Sequence, residues 1–146
     1  MEAIIFIGIQ ASGKSSYYKE RYFSSHVRIS LDQLRTRYRE NLFLNVCLKS
    51  QLSFVIDNTN PTRAERVKYI KAAKAANYSI TGIYFRSIAE ECLIRNSKRA
   101  APVPDIGILS TVKKLERPNM EEGFDNLKYV QMSETGYVIE DWKNAI

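Results

Sequence analysis

The sequence predicts one α/β domain, residues 1–146, in which a parallel sheet is covered by helices on both faces. Three observations predict this fold. Short apolar runs rich in β-branched residues alternate with longer stretches of helical pattern. The first run, AIIFI, is continuously apolar, as a strand buried on both faces should be. No internal repeat or linker interrupts the alternation.

The N-terminal half supplies three of the predicted strands. AIIFI leads into a glycine-containing loop and then the helix KSSYYKERY, with no glycine or proline through Arg28. HVRIS is the second strand, and a mostly helical pattern follows it in LDQLRTRYRENLFLNVCLK. LSFVID is the third strand and ends at Asp57. Each strand is therefore followed by a loop or turn and then by a helix.

The C-terminal half begins with the clearest helix, NPTRAERVKYIKAAKAAN, in which Asn60 suits the N-cap and Pro61 the first position. YSITGIYF is the fourth strand, and the helix IAEECLIRNSKRA ends at the break APVP. DIGILSTVKKLERP is a further helix, and LKYVQM is the last strand. Ligands of such sheets bind beyond the carboxyl ends of the strands. The candidate site residues are therefore those that follow each strand.

A phosphate-binding pattern, G-x-x-x-x-G-K-[ST], occupies the loop after the first strand. It arises by chance in roughly one chain of this length in 200. A strand before it and a helix after it point backbone N–H groups and the helix N-terminus at an anion. We therefore predict nucleotide binding by Gly8, Gln10, Ala11, Ser12, Gly13, Lys14, Ser15 and Ser16.

Asp32 follows the second strand, and the sequence leaves two roles open for it. It either caps the next helix or, kept ionised there, accepts the proton of an attacking hydroxyl. Arg35 lies one turn on and either holds an acceptor phosphate or faces solvent. The polar residues after the third strand either form a turn and cap or orient a Mg²⁺ shell and the acceptor; they are Asp57, Asn58, Thr59 and Asn60.

A second basic group lies in IRNSKR, which the pattern places on a helix before APVP. Arg95, Lys98 and Arg99 form either a solvated face or a lid that brings cations over a γ-phosphate and excludes water. The two interpretations differ in whether these charges reach the phosphate-binding loop.

The net charge is +6, from 22 Lys and Arg against 16 Asp and Glu, with a pI near 9.3. This excess favours a polyanionic partner, or is simply a basic surface that also attracts a nucleotide. Cys47 and Cys92 form no C-x-x-C pair, so we expect a reduced, cytoplasmic compartment. The lone His26, expected in a loop, excludes a histidine-built metal site. No apolar run approaches the length of about 20 residues that a membrane-spanning helix requires.

The motifs GIQASGKSS, ISLDQLR, VIDNTNP and RNSKR, taken in order, resemble the kinase domain of polynucleotide kinases from about Ala3 to Phe124. The resemblance implies a kinase-type P-loop sheet with a small helical lid. It also implies Mg²⁺-dependent transfer of the ATP γ-phosphate to the 5′-hydroxyl of a single-stranded or end-exposed nucleic acid.

The resemblance assigns roles to particular residues. By this resemblance, Asp32 corresponds to the general base and Arg35 to a residue that contacts the acceptor phosphate. Arg99 corresponds to a lid arginine, and Arg95 also contacts the nucleotide. Lys14 corresponds to the residue that binds the phosphates, Ser15 to a ligand of Mg²⁺, and Asp57 to a residue beside the metal and the acceptor. Asp32 and Asp57 are candidates for the outer shell of the metal. The arginines expected around the base are Arg28, Arg35, Arg37 and Arg39.

Two departures from the family pattern leave alternatives open. Gln10 and Ala11 stand where related loops usually carry Pro and Gly, and no phosphatase domain is predicted. One alternative is a kinase for a small hydroxylated metabolite or antibiotic, and the other is a non-enzymatic nucleotide-dependent binding module. The choice of acceptor separates the first from a polynucleotide kinase, and no short motif encodes it.

Overall fold

A computed structural model describes residues 1–143 and contains a six-stranded sheet of order β2-β3-β1-β4-β5-β6. Strands β1 to β5 run parallel, and β6 runs antiparallel to β5 at the edge. The predicted α/β fold is therefore confirmed. The strands are β1 Glu2–Ile7, β2 Val27–Ile29, β3 Phe54–Ile56, β4 Ser79–Phe85, β5 Asn126–Ser133 and β6 Gly136–Asp141.

Helices connect the parallel strands, and a short 3₁₀ turn at Met120–Glu122 precedes β5. Within residues 1–143, no helix is long and apolar enough to cross a membrane. The helices are α1 Lys14–Arg21, α2 Leu31–Leu34, α3 Arg37–Ser50, α4 Arg63–Ala75, α5 Ala89–Ser97 and α6 Asp105–Lys114.

The central strand β1 is buried on both faces. One face carries Ile5 and Ile7 into a cluster that includes Tyr69 and Ile70 of α4. The other carries residues such as Phe6 into a cluster with Tyr17 and Tyr18 of α1. This double burial explains why AIIFI is continuously apolar rather than alternating. It also fixes the loop after β1 between the two helical layers.

The long helix predicted after β2 is interrupted. Arg35 adopts a left-handed conformation (φ 76°) directly after α2, and its backbone N–H still bonds the Leu31 carbonyl. Thr36 then caps α3 by accepting from the N–H of Arg39 at 3.2 Å. The predicted placement of Arg35 on a helix face beside Asp32 is therefore wrong.

The N-cap of α4 is Thr62 rather than Asn60. The Thr62 hydroxyl accepts from the N–H of Glu65 at 3.2 Å. Asn60 is buried, adopts φ 44° and donates its amide to the Phe6 carbonyl at 2.7 Å. Its side chain thus joins the turn after β3 to β1 and cannot cap the helix. Pro61 accordingly precedes the helix.

The sheet does not end with the predicted strand LKYVQM. After a turn at Glu134 and Thr135, the chain returns as β6 and pairs Tyr137 with Met132. The sheet is therefore parallel only up to β5. This hairpin places two side chains against the phosphate-binding loop.

Candidate active site

The phosphate-binding loop runs from β1 to α1, and its two motif glycines are required by close contacts at Gly8 and by a positive φ at Gly13. A Cβ on Gly8 would lie 2.9 Å from the Ser12 hydroxyl oxygen and 3.0 Å from the Phe85 Cβ. Gly13 has φ 98°, and a Cβ there would lie 2.9 Å from the Met132 sulfur. Ala11 also has positive φ (62°), at a position where glycine would be unstrained.

Lys14 lies folded back into the loop. Its Nζ donates to the carbonyls of Gly8 at 2.9 Å and Ile9 at 2.8 Å, and the side chain is buried. Burial lowers the pKa of Lys14 to about 8, and the nearby Asp57 carboxylate opposes this shift. The ammonium is thus held where the phosphates of a bound nucleotide would meet it.

Asp57, at the end of β3, faces the loop across the site. Its Oδ2 accepts from the Ser15 hydroxyl at 3.1 Å and from Arg28 Nε at 2.8 Å. Arg28 Nη2 also donates to the Ser15 hydroxyl at 3.2 Å. Asp57 is 4% exposed, so the guanidinium offsets the burial of its carboxylate.

Ser15 and Asp57 fit a Mg²⁺ ion that arrives with a nucleotide. Hydroxyl and carboxylate oxygens are hard ligands, and Mg²⁺ is usually held by one or two carboxylates together with substrate phosphates and waters. Within residues 1–143, no group of three or more His, Cys, Asp or Glu residues could hold a metal ion. Nucleotide phosphates and waters are the ligands that usually complete the coordination of Mg²⁺ in such sites.

A cavity of about 440 Å³ opens between the phosphate-binding loop, α2 and the segment 95–103. It brings together two predicted acids, Asp32 and Asp57, and two predicted arginines, Arg95 and Arg99. The loop contributes Gln10, Ala11, Gly13, Lys14, Ser15 and Ser16, and the β3 turn contributes Asn58 and Thr59. Among the predicted residues, Gly8, Ser12, Arg35 and Asn60 are not part of its lining. Ser12 belongs to the loop, but it is buried.

Asp32 is exposed in the first turn of α2. The N-cap of this helix is Ser30, and neither it nor Asp32 makes a side-chain cap bond. The first amide of the helix, on Leu31, is instead bonded by the Asn58 carbonyl oxygen at 2.9 Å. Asp32 therefore makes no capping hydrogen bond, and it contributes to the lining of the cavity.

Glu40 supports this arrangement from beneath, and no pattern in the sequence predicted its role. Its carboxylate is fully buried in α3 and accepts from the Asn58 amide at 2.7 Å and the Tyr69 hydroxyl at 2.8 Å. Arg37 and Lys68 donate to it as well. Burial raises the pKa of Glu40, but these hydrogen bonds together hold it below its ordinary value.

Arg66 stabilises the turn after β3 from the other side. It is completely buried and donates two hydrogen bonds to the Glu122 carboxylate, at 2.8 and 3.1 Å. Its third contact, at 2.9 Å, is the Asn60 carbonyl. The polar turn that lines the cavity is thus fixed by a buried ion pair.

The lid consists of α5, the loop 98–104 and α6. Arg95 donates from Nε to the Ala11 carbonyl at 3.0 Å, which ties the lid to the phosphate-binding loop. Arg99 lies in the loop beyond α5, so its predicted place on the helix is wrong. The buried amide of Asn96 closes this loop by bonding both the carbonyl and the N–H of Val103, at 2.7 and 3.0 Å.

The hairpin that the sequence did not predict contributes to the site. The Tyr137 hydroxyl donates to the Gly13 carbonyl at 2.9 Å. Met132 lines the cavity with its sulfur 3.6 Å from Arg95 Nη1. The aromatic and β-branched run Tyr137-Val138-Ile139, directly after Gly136, was the available signal for this strand.

Two of the four arginines expected around Asp32 pair with other carboxylates. Arg28 pairs with Asp57, and Arg37 pairs with Glu40 and bonds the Tyr69 hydroxyl. Arg35 and Arg39 remain exposed at the corner between α2 and α3. His26 lies in a loop, as predicted, and bonds Glu2 at 2.8 Å.

A family model described as an AAA domain matches residues 4–118, most of the chain. The chain belongs to this AAA-domain family. Among solved structures, Kti12 of Chaetomium thermophilum in complex with ADP-AlF3 is similar in fold. It has a TM-score of 0.66 and 19% identity, with 91% of this chain and 92% of that one covered. The predicted kinase-type P-loop fold is confirmed.

Two curated proteins are similar in sequence. The chain is 30% identical over 135 residues to the bifunctional polynucleotide phosphatase/kinase of Schizosaccharomyces pombe, covering 88% of this chain and 33% of that protein. It is 28% identical over 155 residues to the putative bifunctional polynucleotide phosphatase/kinase of Acanthamoeba polyphaga mimivirus, covering 99% of this chain and 37% of that protein. The predicted resemblance to polynucleotide kinases is confirmed, and the chain spans about a third of the length of these relatives.

Proposed function

We propose that this chain is a Mg²⁺-dependent kinase that transfers the γ-phosphate of ATP to the 5′-hydroxyl of a nucleic acid. One observation carries the proposal: the exposed residue Asp32 lines the same cavity as Lys14 and Arg99. A base, a phosphate-binding cation and a lid cation are the groups that phosphoryl transfer needs. The names of the two curated relatives favour a polynucleotide as the acceptor.

In the proposed reaction, Lys14 binds the β- and γ-phosphates and Asp32 accepts the proton of the attacking hydroxyl. Arg99 stabilises the charge on the transferred group, and the lid excludes water. Ser15 would ligate Mg²⁺ and Asp57 would orient its shell, and the ion would neutralise charge on the phosphates. The hydroxyl oxygen forms a bond to the γ-phosphorus as the bond to ADP breaks.

The corner between α2 and α3 is the proposed entrance for the acceptor. Arg35, Tyr38 and Arg39 are all exposed there, and Tyr38 retains 72% of its accessible surface. Exposed cations and aromatic rings together are typical of surfaces that bind single-stranded nucleic acid, through phosphate contacts and base stacking. The net charge of +6 favours the same acceptor.

The test is transfer of labelled γ-phosphate from ATP to a single-stranded 5′-hydroxyl oligonucleotide in the presence of Mg²⁺. A panel of sugar alcohols, sugars and hydroxylated antibiotics is run beside it, and a 5′-phosphorylated oligonucleotide is the matched control. We expect label on the 5′-hydroxyl oligonucleotide alone. A metabolite labelled with higher kcat/KM than every 5′-hydroxyl RNA or DNA would favour a metabolite kinase. ATP binding without transfer to any acceptor would favour a binding module.

The proposed activity suits a cytoplasmic compartment. Cys47 and Cys92 are both free and buried, which fits a reducing environment.

A further inference from the structure

The guanidinium of Arg28 lies against both oxygen groups that fit Mg²⁺. Its Nε is 2.8 Å from Asp57 Oδ2, and its Nη2 is 3.2 Å from the Ser15 hydroxyl. Arg28 comes from β2, at the edge of the sheet, whereas Ser15 lies in the first turn of α1 and Asp57 directly follows β3. The contacts therefore bring together three separate parts of the chain at one point.

We propose that Arg28 competes with the divalent cation for Asp57 and Ser15, and so determines how strongly nucleotide binding depends on Mg²⁺. This inference rests on the metal role proposed for Ser15 and Asp57. A guanidinium and a hydrated Mg²⁺ ion would claim the same carboxylate oxygen, and two cations so close together repel each other. Metal binding therefore requires Arg28 to give up at least one of its two contacts.

The side chains differ in their freedom to move. The Asp57 side chain is 2% exposed and the Arg28 side chain is 26% exposed. The Asp57 backbone is also fixed, since its N–H donates to the Ile29 carbonyl at 2.8 Å. Arg28 has a long, flexible stem and a path to solvent, so it is the partner that moves. Until it moves, it keeps Asp57 and Ser15 oriented toward each other.

A purely structural ion pair makes a different prediction. Such a pair would affect stability and leave the affinity for the Mg²⁺–nucleotide complex unchanged. A competing cation, once removed, leaves a buried carboxylate without its partner, and Mg²⁺ then becomes the favoured counter-ion. The two roles are separated by measuring nucleotide binding with and without the metal.

The experiment is calorimetric titration of ADP into the parent chain and into Arg28→Met, once in excess Mg²⁺ and once in EDTA. Lys19→Met, which removes an exposed charge from α1, is the matched control. We expect Arg28→Met to bind ADP about fivefold more tightly than the parent in Mg²⁺ and no more tightly in EDTA. Lys19→Met should change both affinities by the same factor. Unchanged or weaker ADP binding by Arg28→Met in Mg²⁺ would overturn the proposal.

Arg28→Lys provides a second variant that keeps the charge and loses the planar fork, so that only one of the two contacts survives. We expect its ADP affinity in Mg²⁺ to lie between those of the parent and Arg28→Met. If Arg28→Met does not fold, an affinity of Arg28→Lys equal to that of the parent overturns the proposal. These titrations contain no acceptor, so they are independent of whether a 5′-hydroxyl is phosphorylated.

Discussion

The side-chain amide of Asn58 donates a 2.7 Å hydrogen bond to the buried carboxylate of Glu40, while its carbonyl oxygen accepts from the N–H of Leu31. The residue after Leu31 is the proposed base. Asn58 thus connects a buried charge in α3 to the first turn of α2. The position of Asp32 depends on a carboxylate that does not touch the cavity.

We expect Glu40→Gln to lower kcat about tenfold while leaving the KM for ATP nearly unchanged. The amide keeps the shape but cannot accept from all the donors around it, so Asn58 and α2 lose their fixed positions. Loss of the buried charge should also cost about 2–3 kcal/mol of stability. Steady-state kinetics and denaturant unfolding measure the two effects, with the exposed Glu121→Gln as the control. A normal kcat in a destabilised Glu40→Gln would leave Glu40 with a structural role only.

Because the Glu40 carboxylate is buried and hydrogen-bonded, we expect the stability of the fold to fall in acid. The folded pKa of Glu40 is held below its ordinary value of about 4.3. Its contribution to stability is therefore fully present above that value and is lost as the pH falls through the lowered folded pKa. In the parent, the free energy of unfolding should decline across this acidic range, and the decline should be shallower in Glu40→Gln. Parallel pH profiles would show that Glu40 is not responsible.

Lys14 predicts a pH dependence of nucleotide affinity. Its pKa is lowered to about 8 by burial, and the phosphates of a nucleotide favour the ammonium form. Above pH 8, ADP binding should take up a proton and weaken by about tenfold per pH unit. Without nucleotide, the free energy of unfolding should instead rise with pH. Between pH 8 and about 10.4, Lys14 holds its proton more often in the unfolded chain than in the folded one.

Calorimetric titrations in buffers of different ionisation enthalpy detect this proton uptake directly. Lys14→Arg keeps its charge throughout the range and serves as the control. An ADP affinity in the parent that stays constant from pH 7 to pH 9.5 would show that Lys14 does not titrate there.

We expect Arg99→Ala to lower kcat by about 10³ and to change the KM for ATP much less. A lid arginine acts mainly as charge moves onto the transferred group, and Arg99 lies in a loop closed by Asn96 and Val103. Arg99→Lys should restore only part of the rate, because its ammonium keeps the charge but lacks the planar fork of the guanidinium. Lys98→Ala removes the neighbouring charge as the control. If Arg99→Ala turns over as fast as Lys98→Ala, the basic segment is a solvated surface.

The exposed corner at α2 and α3 predicts a salt dependence. The KM for a single-stranded oligonucleotide should rise with salt, with a log–log slope of roughly 0.7 per phosphate contacted. Arg35→Ala should lower this slope by about one contact and leave the KM for ATP nearly unchanged. Lys71→Ala removes an exposed charge from α4 and should keep the slope of the parent. Equal slopes in all three proteins would place the acceptor elsewhere.

The sequence predicted the fold where the signal is local. Continuous apolar runs mark the buried parallel strands, and the spacing of Gly8, Gly13 and Lys14 marks the loop, because neighbouring residues alone determine both. Asp32 and Asp57 were predicted from the rule that ligands bind at the ends of parallel strands, and Arg95 and Arg99 from the basic run IRNSKR. The structure brings all four residues to one cavity.

The errors arose where contacts distant in sequence decide the structure. The pairing of Arg28 with Asp57 joins residues 29 positions apart, and the bond between Tyr137 and Gly13 joins residues 124 apart. No helical or strand periodicity encodes either contact. The N-cap of α4 is a different case, since the pattern from Thr62 to Glu65 was a legible helix-start signal that the preceding Asn-Pro pair obscured.

The role of Asp32 as the base is tested most directly by comparing the parent with Asp32→Asn in single-turnover transfer from ATP to a 5′-hydroxyl oligonucleotide. ATP binding and melting temperature are measured on the same samples. Asparagine keeps the shape of the side chain and removes its basicity. We predict a rate lowered by about 10²–10⁴, with ATP affinity and melting temperature nearly unchanged. Transfer by Asp32→Asn at the parent's rate would contradict the assignment of Asp32 as the base.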